Sequence, residues 1–145
     1  MRKLTRVAVL GAFGLMAVLL AAAGSTRAQD KDKKEEKKLT TKQIMGAGHK
    51  GAEALFTKVQ TAVKGKKWDD AAEPAKELAE NGSIFPKAKP PRGDDESWQK
   101  LAGKYASDTK ALAEAVEKKD ADAAGKAGKA IGGSCKTCHD AHKGK

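Results

Sequence analysis

Residues 120–142 read DADAAGKAGKAIGGSCKTCHDAH, and this stretch decides the fold class. Asp120 stands where an N-cap would begin a helix. Steps of three or four residues, the spacing of one helix face, separate Ala124, Ala127, Ile131, Cys135, Cys138 and His142. Glycines lower the helix propensity of the segment, but they also leave room for a bulky planar group beside its backbone. The stretch therefore predicts a C-terminal helix with one chemically distinct face.

Three segments upstream show the same periodicity. Thr40 and Gln43 form the pattern of a capping box, and the stripe behind them predicts one helix over about residues 41–64. A shorter helix is predicted to end at Asn81-Gly82. Residues 83–94 contain several prolines and predict a long connection. The second, third and fourth helices are predicted to start at Trp68, after Asp94 or Asp95, and after Asp120. The prediction is an all-α fold, an antiparallel four-helix bundle.

Composition narrows the class of protein further. The chain has 145 residues and a formal charge of +10, and only 4% of its residues are aromatic. This length suits one modest domain, and the shortage of aromatic residues argues against a β-sandwich or barrel. A core so poor in large side chains needs an additional bulky group, such as a cofactor, to fill it. The basic charge lacks the interleaved aromatics of a nucleic-acid-binding surface, so no nucleic acid partner is predicted.

The N-terminus has the pattern of a secretory signal. Residues 1–28 combine a basic start, an apolar stretch and small residues before a cleavage site. A retained anchor helix is the alternative, because the apolar stretch is near the lower length limit for spanning a membrane. Residues 29–39 read as a charged flexible leader, and residues 40–145 as the folded domain. We predict a periplasmic or otherwise exported protein without stable membrane insertion after cleavage.

The chemistry of the chain is concentrated in Cys135-Lys136-Thr137-Cys138-His139, a C-x-x-C-H motif that is the attachment signature of haem c. On a helix the two thiols share a face and could form thioethers to the two vinyl groups, while His139 binds the iron from the same side. The alternatives are a zinc site that adds His142, a redox Cys-x-x-Cys pair and a structural disulfide. Zinc ligands usually come in separated pairs, and a redox pair usually begins a helix after a strand. One covalently attached haem is the favoured prediction.

Residues 40–145 resemble the class II c-type cytochromes, the family of cytochrome c-prime and its low-spin relatives. The resemblance rests on a single C-x-x-C-H at the extreme C-terminus of an exported, Ala- and Lys-rich helical chain. In that family the motif commonly runs Cys-Lys-x-Cys-His and precedes an aromatic–arginine pair. Here His142 and Lys143 replace that pair. We expect His142 to be a surface residue near the haem.

The resemblance implies that the first helix supplies any distal iron ligand. Met45 and His49 lie four residues apart there, on one face. Met45 is about as far from the start of its helix as His139 is from the end of the antiparallel last helix. His49 would lie about 6 Å deeper at the standard helical rise. Met45 is favoured, His49 is the alternative, and a site that uses neither residue stays open.

The leading function is that of a soluble electron carrier, because a haem with both axial positions filled exchanges electrons without binding a substrate. No nucleophile–base constellation or phosphate loop occurs, so we do not expect an enzyme. We expect redox partner proteins, and the basic surface would steer acidic ones toward the chain. The resemblance implies that a homodimer is among the assemblies to test. The alternatives are a five-coordinate, NO- or CO-binding sensor or scavenger and a metal-binding bundle without haem. The predicted basic surface consists of Lys104, Lys110, Lys118, Lys119, Lys126, Lys129, Lys136 and Lys143.

Overall fold

A computed structural model describes residues 39–144, which are helical with no strand in that range. The helices are α1 (Thr41–His49), α2 (Leu55–Lys64), α3 (Trp68–Ile84), α4 (Asp95–Glu117) and α5 (Ala121–His142). A short 3-10 turn, Phe85–Lys87, follows α3. The all-α prediction is confirmed. The predicted signal peptide, residues 1–28, and the leader up to residue 38 lie outside the described residues.

Local capping determines where three of the helices begin. The N–H of Gln43 donates to Oγ1 of Thr40 at 3.3 Å, and the N–H of Thr40 donates back to the Gln43 side chain at 2.9 Å. Asp94 accepts the N–H of Ser97 at 2.7 Å. Asp120 accepts two N–H groups of the first turn of α5, at 3.0 and 2.9 Å. Each side chain satisfies donors that a helix start leaves open, as the sequence predicted.

The single helix predicted over residues 41–64 is wrong, because the chain breaks between α1 and α2. Gly51 adopts a φ of +87°, which interrupts the right-handed helix and favours glycine. Ala54 is extended and precedes the first residue of α2. The spacing of three and four residues continues across the break, and this continuity makes two helices look like one in the sequence. The short helix α1 is therefore a separate element.

The second predicted helix is longer than expected, since α3 runs through Asn81-Gly82 to Ile84. Both residues of the predicted stop are buried. A Cβ at Gly82 would lie 2.2 Å from Oγ1 of Thr109 in α4. Glycine at this position thus allows α3 and α4 to approach closely and does not end the helix.

The core lies where α2, α3, α4 and α5 pack together. Helix α4 packs against both α3 and α5, and α2 packs against α3. The largest apolar side chains that are fully buried are Trp98, Ile44, Leu78, Leu112, Ile131 and Val59. No helix within residues 39–144 is long and apolar enough to cross a membrane.

Candidate functional site

The C-x-x-C-H motif occupies the last turns of α5, where its three key side chains lie on one helix face. Cys135 and His139 are exposed, and Cys138 is half-buried. Both thiols are free. The thiol of Cys135 donates to the carbonyl of Ile131 at 3.4 Å. Burial, and secondarily the neighbouring Cys135, raises the pKa of the Cys138 thiol. The two sulfur atoms and the imidazole are therefore unbonded to one another and face outward from the helix.

This face borders a cavity of about 770 Å³. That volume is within the range of about 300–1,000 Å³ that is typical of cofactor and small-molecule sites. Helix α1 contributes Met45 and His49 to the cavity, and α4 contributes apolar residues. The apolar and aromatic part of the lining consists of Phe85, Pro91, Trp98, Leu101 and Tyr105. The cavity has the size and lining expected of a site for a bulky, largely apolar group.

The five predicted site residues all line this one cavity: Met45, His49, Cys135, Cys138 and His139. Met45 and His49 are half-buried. Burial lowers the pKa of His49, and electrostatic repulsion from the nearby His139 lowers it further. The structure brings the predicted residues together, and their individual roles stay predictions.

Tyr105 is a site residue that the sequence reasoning missed. Its hydroxyl and Nε2 of His49 are hydrogen-bonded at 2.9 Å, and the two rings meet edge to face at 5.7 Å. Burial raises the pKa of Tyr105, and the neighbouring Cys135 adds to the effect. In the sequence, Tyr105 stands at helical spacing from the apolar residues Leu101 and Leu112 of α4. The available signal was that this tyrosine, the only one in the chain, puts a polar hydroxyl on a face that is otherwise apolar.

His142 is buried, with 2% of its surface exposed, so the prediction of a surface residue is wrong. Its Nδ1 donates to the carbonyl of Arg92 at 2.8 Å, since a carbonyl only accepts, and its Nε2 is bonded to Oγ of Ser97 at 3.0 Å. The ring also meets Trp98 edge-on at 5.3 Å. The physical reason is that the proline-rich connection folds over the end of α5 and covers this side chain. His142 thus fastens the connection to the site.

Further hydrogen bonds hold the same connection. The indole N–H of Trp98 donates to the carbonyl of Ala88 at 2.7 Å, and the side-chain amide of Gln99 donates to the carbonyl of Pro86 at 2.8 Å. The guanidinium of Arg92 donates to the carbonyl of Asp140. Because α4 and α5 both bind the connection, it forms a fixed wall at one side of the cavity.

The zinc alternative finds no support in the geometry of the described residues. Within residues 39–144, no group of three or more His, Cys, Asp and Glu side chains is placed to hold a metal ion. Both ring nitrogens of His142 are committed to the connection and to Ser97. The fourth ligand of the proposed zinc set is therefore engaged elsewhere.

Three exposed lysines, Lys42, Lys50 and Lys143, line the opening of the cavity; we refer to them as the mouth lysines. None of the three forms an ion pair with a described residue. Four lysines of the predicted basic surface are paired with carboxylates: Lys104 with Asp108, Lys110 with Glu114, Lys119 with Asp69, and Lys136 with Asp140. The mouth of the cavity thus carries positive charge that no carboxylate of residues 39–144 pairs with.

Comparison with known proteins identifies a family that the chain matches. A family model described as Cytochrome C' matches residues 40–143, a range that takes in all five helices and all five predicted site residues. Neither a curated protein nor a solved structure matches the chain.

Proposed function

The chain belongs to the cytochrome c' family, and from this premise we propose that it is an exported electron carrier and not an enzyme. The family implies haem c and its iron as the cofactor. When bound, this group supplies a one-electron redox centre. The observation that carries the proposal is that one cavity gathers the C-x-x-C-H residues of α5 and two candidate iron ligands of α1.

The residues present fit a haem. The cavity has the volume of a cofactor site, and its wall includes Phe85, Trp98 and Leu101, which suit a large apolar ring. Cys135 and Cys138 are free and available for thioether bonds. His139 is exposed on the same helix face, so its imidazole is available as the proximal ligand. We propose these three roles for the three residues.

Met45 is the proposed distal ligand, and its hydrogen bonding supports this choice over His49. Nε2 of His49 is occupied by the Tyr105 hydroxyl. The sulfur of Met45 has no hydrogen-bond partner among the described residues, so ligation by Met45 breaks no bond. Ligation by Nε2 of His49 would strip a buried hydroxyl of its partner, at a cost of about 1–3 kcal/mol. Met45 and His139 would both bind the iron; the thioether of Met45 would raise the reduction potential, and no coordination site would be left for a substrate.

The finer fold proposal follows the family. We propose that α1 and α2 together take the place of the first helix of an antiparallel four-helix bundle, with α3, α4 and α5 as the other three. The packing of α4 between α3 and α5, and of α2 against α3, supports this arrangement. The break after α1 then gives Met45 and His49 a helix of their own beside the cavity.

The mouth lysines define the proposed partner surface. Lys42, Lys50 and Lys143 surround the opening through which the cofactor edge would be reached, and no described carboxylate neutralises them. Unpaired positive charge steers negatively charged partners to the surface that carries it. We therefore propose acidic redox proteins that dock over the cavity mouth.

Spectra of the purified holoprotein and two single variants test the proposed function. In Met45→Ala the distal site should open: the oxidised protein becomes high-spin, the reduction potential falls, and the reduced protein binds carbon monoxide readily. His49→Ala, one turn away on the same helix, is the matched control and should keep the spectrum of the wild type. A change of spin state in His49→Ala alone would assign a bis-histidine site. A high-spin wild type that neither variant changes would assign the gas-binding function instead.

A further inference from the structure

We propose that Tyr105 is the positioning residue that decides which side chain of α1 becomes the distal ligand, because it holds His49 away from the iron. The inference rests on the proposed function, since it presupposes a haem in the cavity. It assigns a role to a residue outside the C-x-x-C-H motif and outside α1.

The hydrogen bond blocks ligation through Nε2 in either tautomer of His49. Nε2 of His49 and Oη of Tyr105 are 2.9 Å apart. If the hydroxyl donates, the lone pair of Nε2 is already occupied by the phenolic proton. If Nε2 carries the proton and donates, it has no lone pair to offer. A metal that binds Nε2 needs the lone pair of this nitrogen, so the bond of Nε2 to Tyr105 and a bond of Nε2 to iron exclude each other.

The surroundings of the pair keep the tyrosine in place. Tyr105 is 7% exposed, and its ring packs on Phe85 with centroids 5.2 Å apart. Gly48 of α1 lies directly over the hydroxyl, because a Cβ at this glycine would be 3.4 Å from Oη. The His49 ring is also held by Phe56, at 5.3 Å between centroids. The hydroxyl is therefore fixed on α4 while α1 lies against it.

Release of His49 would leave the tyrosine hydroxyl without a partner. Its only hydrogen bond among the described residues is the one to His49. A buried hydroxyl that loses its partner bears the full cost of its desolvation. Met45, one turn earlier on α1, has no comparable hydrogen bond to a described residue. The tyrosine thus disfavours His49 as a ligand without touching Met45.

The effect of Tyr105 on iron ligation by His49 can be isolated in a Met45→Ala background, because Met45 no longer competes with His49 for the iron there. We compare Met45→Ala with Met45→Ala/Tyr105→Phe, as purified holoproteins, by the spin state of the oxidised form and its affinity for added imidazole. With Tyr105 present, His49 stays away, and the protein is high-spin and binds imidazole. Without the hydroxyl, His49 should bind iron, produce a low-spin spectrum and weaken imidazole binding by roughly tenfold, the equivalent of one buried hydrogen bond.

The triple variant Met45→Ala/Tyr105→Phe/His49→Ala distinguishes positioning from a general structural effect. It should return to the high-spin spectrum and to the imidazole affinity of Met45→Ala. The phenylalanine preserves the ring contacts; Tyr105→Leu serves as the second variant if Tyr105→Phe does not mature. Equal spectra and equal imidazole affinities in Met45→Ala and Met45→Ala/Tyr105→Phe would overturn the inference. This result would leave the proposed function intact, whereas a wild type without haem or without Met45 ligation would contradict the proposed function whatever Tyr105 does.

Discussion

The two halves of α5 share one helix and one periodicity but differ in what covers them. In the first half, Ala124, Ala127 and Ile131 are 3%, 8% and 0% exposed and belong to the core. In the second half, the equivalent positions Cys135 and Cys138 are exposed and half-buried, and they border a cavity. Side chains of the chain itself cover the first half. The face of the second half stays open, and the proposed haem is the group that would cover it.

Composition explains why the open half stays open. The core cluster that contains Ile131 also includes Val59 of α2 together with Leu112 and Val116 of α4. Around the second half, the lining residues of α1 are Thr41, Lys42, Met45, Gly46 and His49. A short, glycine-containing helix does not fill a space of about 770 Å³. The closed half should therefore respond to substitution as a protein core, and the open half as a cofactor site.

The largest effect is expected in the open half, from Cys135→Ala/Cys138→Ala. We expect complete loss of covalent haem, because both thioether sulfurs are removed. The test is a denaturing gel stained for haem peroxidase activity. The variant should also melt at a lower temperature in circular dichroism, since the cofactor contributes apolar contacts and binding energy to the fold.

Thr137→Ala is the matched control for the cysteine variant. Thr137 is an exposed residue of the same half, between the two cysteines on α5, and it does not line the cavity. It should keep full haem staining. Haem that remains on the gel in the cysteine variant, or native-like melting at an unchanged temperature, would contradict the assigned role of the motif.

In the closed half, Ile131→Ala should lower the free energy of unfolding by about 2–5 kcal/mol, because it removes a fully buried side chain and leaves a cavity. Denaturant unfolding of the holoprotein measures the change. Lys129→Ala, an exposed position two residues earlier, should alter it by less than about 0.5 kcal/mol. If Ile131→Ala has as little effect as its control, the first half of α5 is not the core described above.

Two helical glycines, one in α3 and one in α4, test how tightly these two helices pack together. Gly82→Ala should lower the free energy of unfolding by about 1–3 kcal/mol, because its Cβ would meet Thr109 at 2.2 Å. Thr109 has little freedom to move, since its hydroxyl donates to the carbonyls of Tyr105 and Ala106. Gly103→Ala has nothing within 4 Å of the new Cβ and should stabilise α4 by about 0.5–1 kcal/mol. Thermal unfolding should shift in opposite directions for the two variants, and shifts of one sign would contradict the packing described.

The smallest effect concerns the charge at the cavity mouth. Lys42→Glu/Lys50→Glu should slow oxidation of the reduced protein by anionic hexacyanoferrate(III) about three- to tenfold at low ionic strength, because steering toward the opening is lost. The same exchange at Lys126 and Lys129, in the closed half of α5, should have a much weaker effect. High salt should bring the rates together, since it screens exposed charges. Equal slowing by both pairs would contradict a localised docking surface.

Local signals made parts of this structure predictable, and contacts between distant residues made others unpredictable. Thr40 and Asp120 cap their helices through neighbours within three residues, and the C-x-x-C-H motif is contiguous. The burial of His142 depends on Arg92, fifty residues away, and the His49–Tyr105 bond joins residues 56 apart. The sequence pattern contains no record of such pairings.

The broken first helix is an intermediate case. Gly51 was visible in the sequence, but helices often contain glycine, and only the backbone conformation shows that this one turns the chain. Periodicity alone therefore placed Met45 and His49 on the correct face while it missed the helix boundary that separates them from α2.

The absorption spectrum of the purified holoprotein, oxidised and then reduced, tests the central claim most directly. The claim is that the open half of α5 holds a haem bound by Cys135, Cys138 and His139, with Met45 as the sixth ligand. The account predicts a Soret band with a low-spin, six-coordinate pattern, and a weak near-infrared sulfur-to-iron charge-transfer band in the oxidised protein. A protein without a Soret band would contradict the haem site, and a high-spin, five-coordinate spectrum would contradict the electron-carrier function.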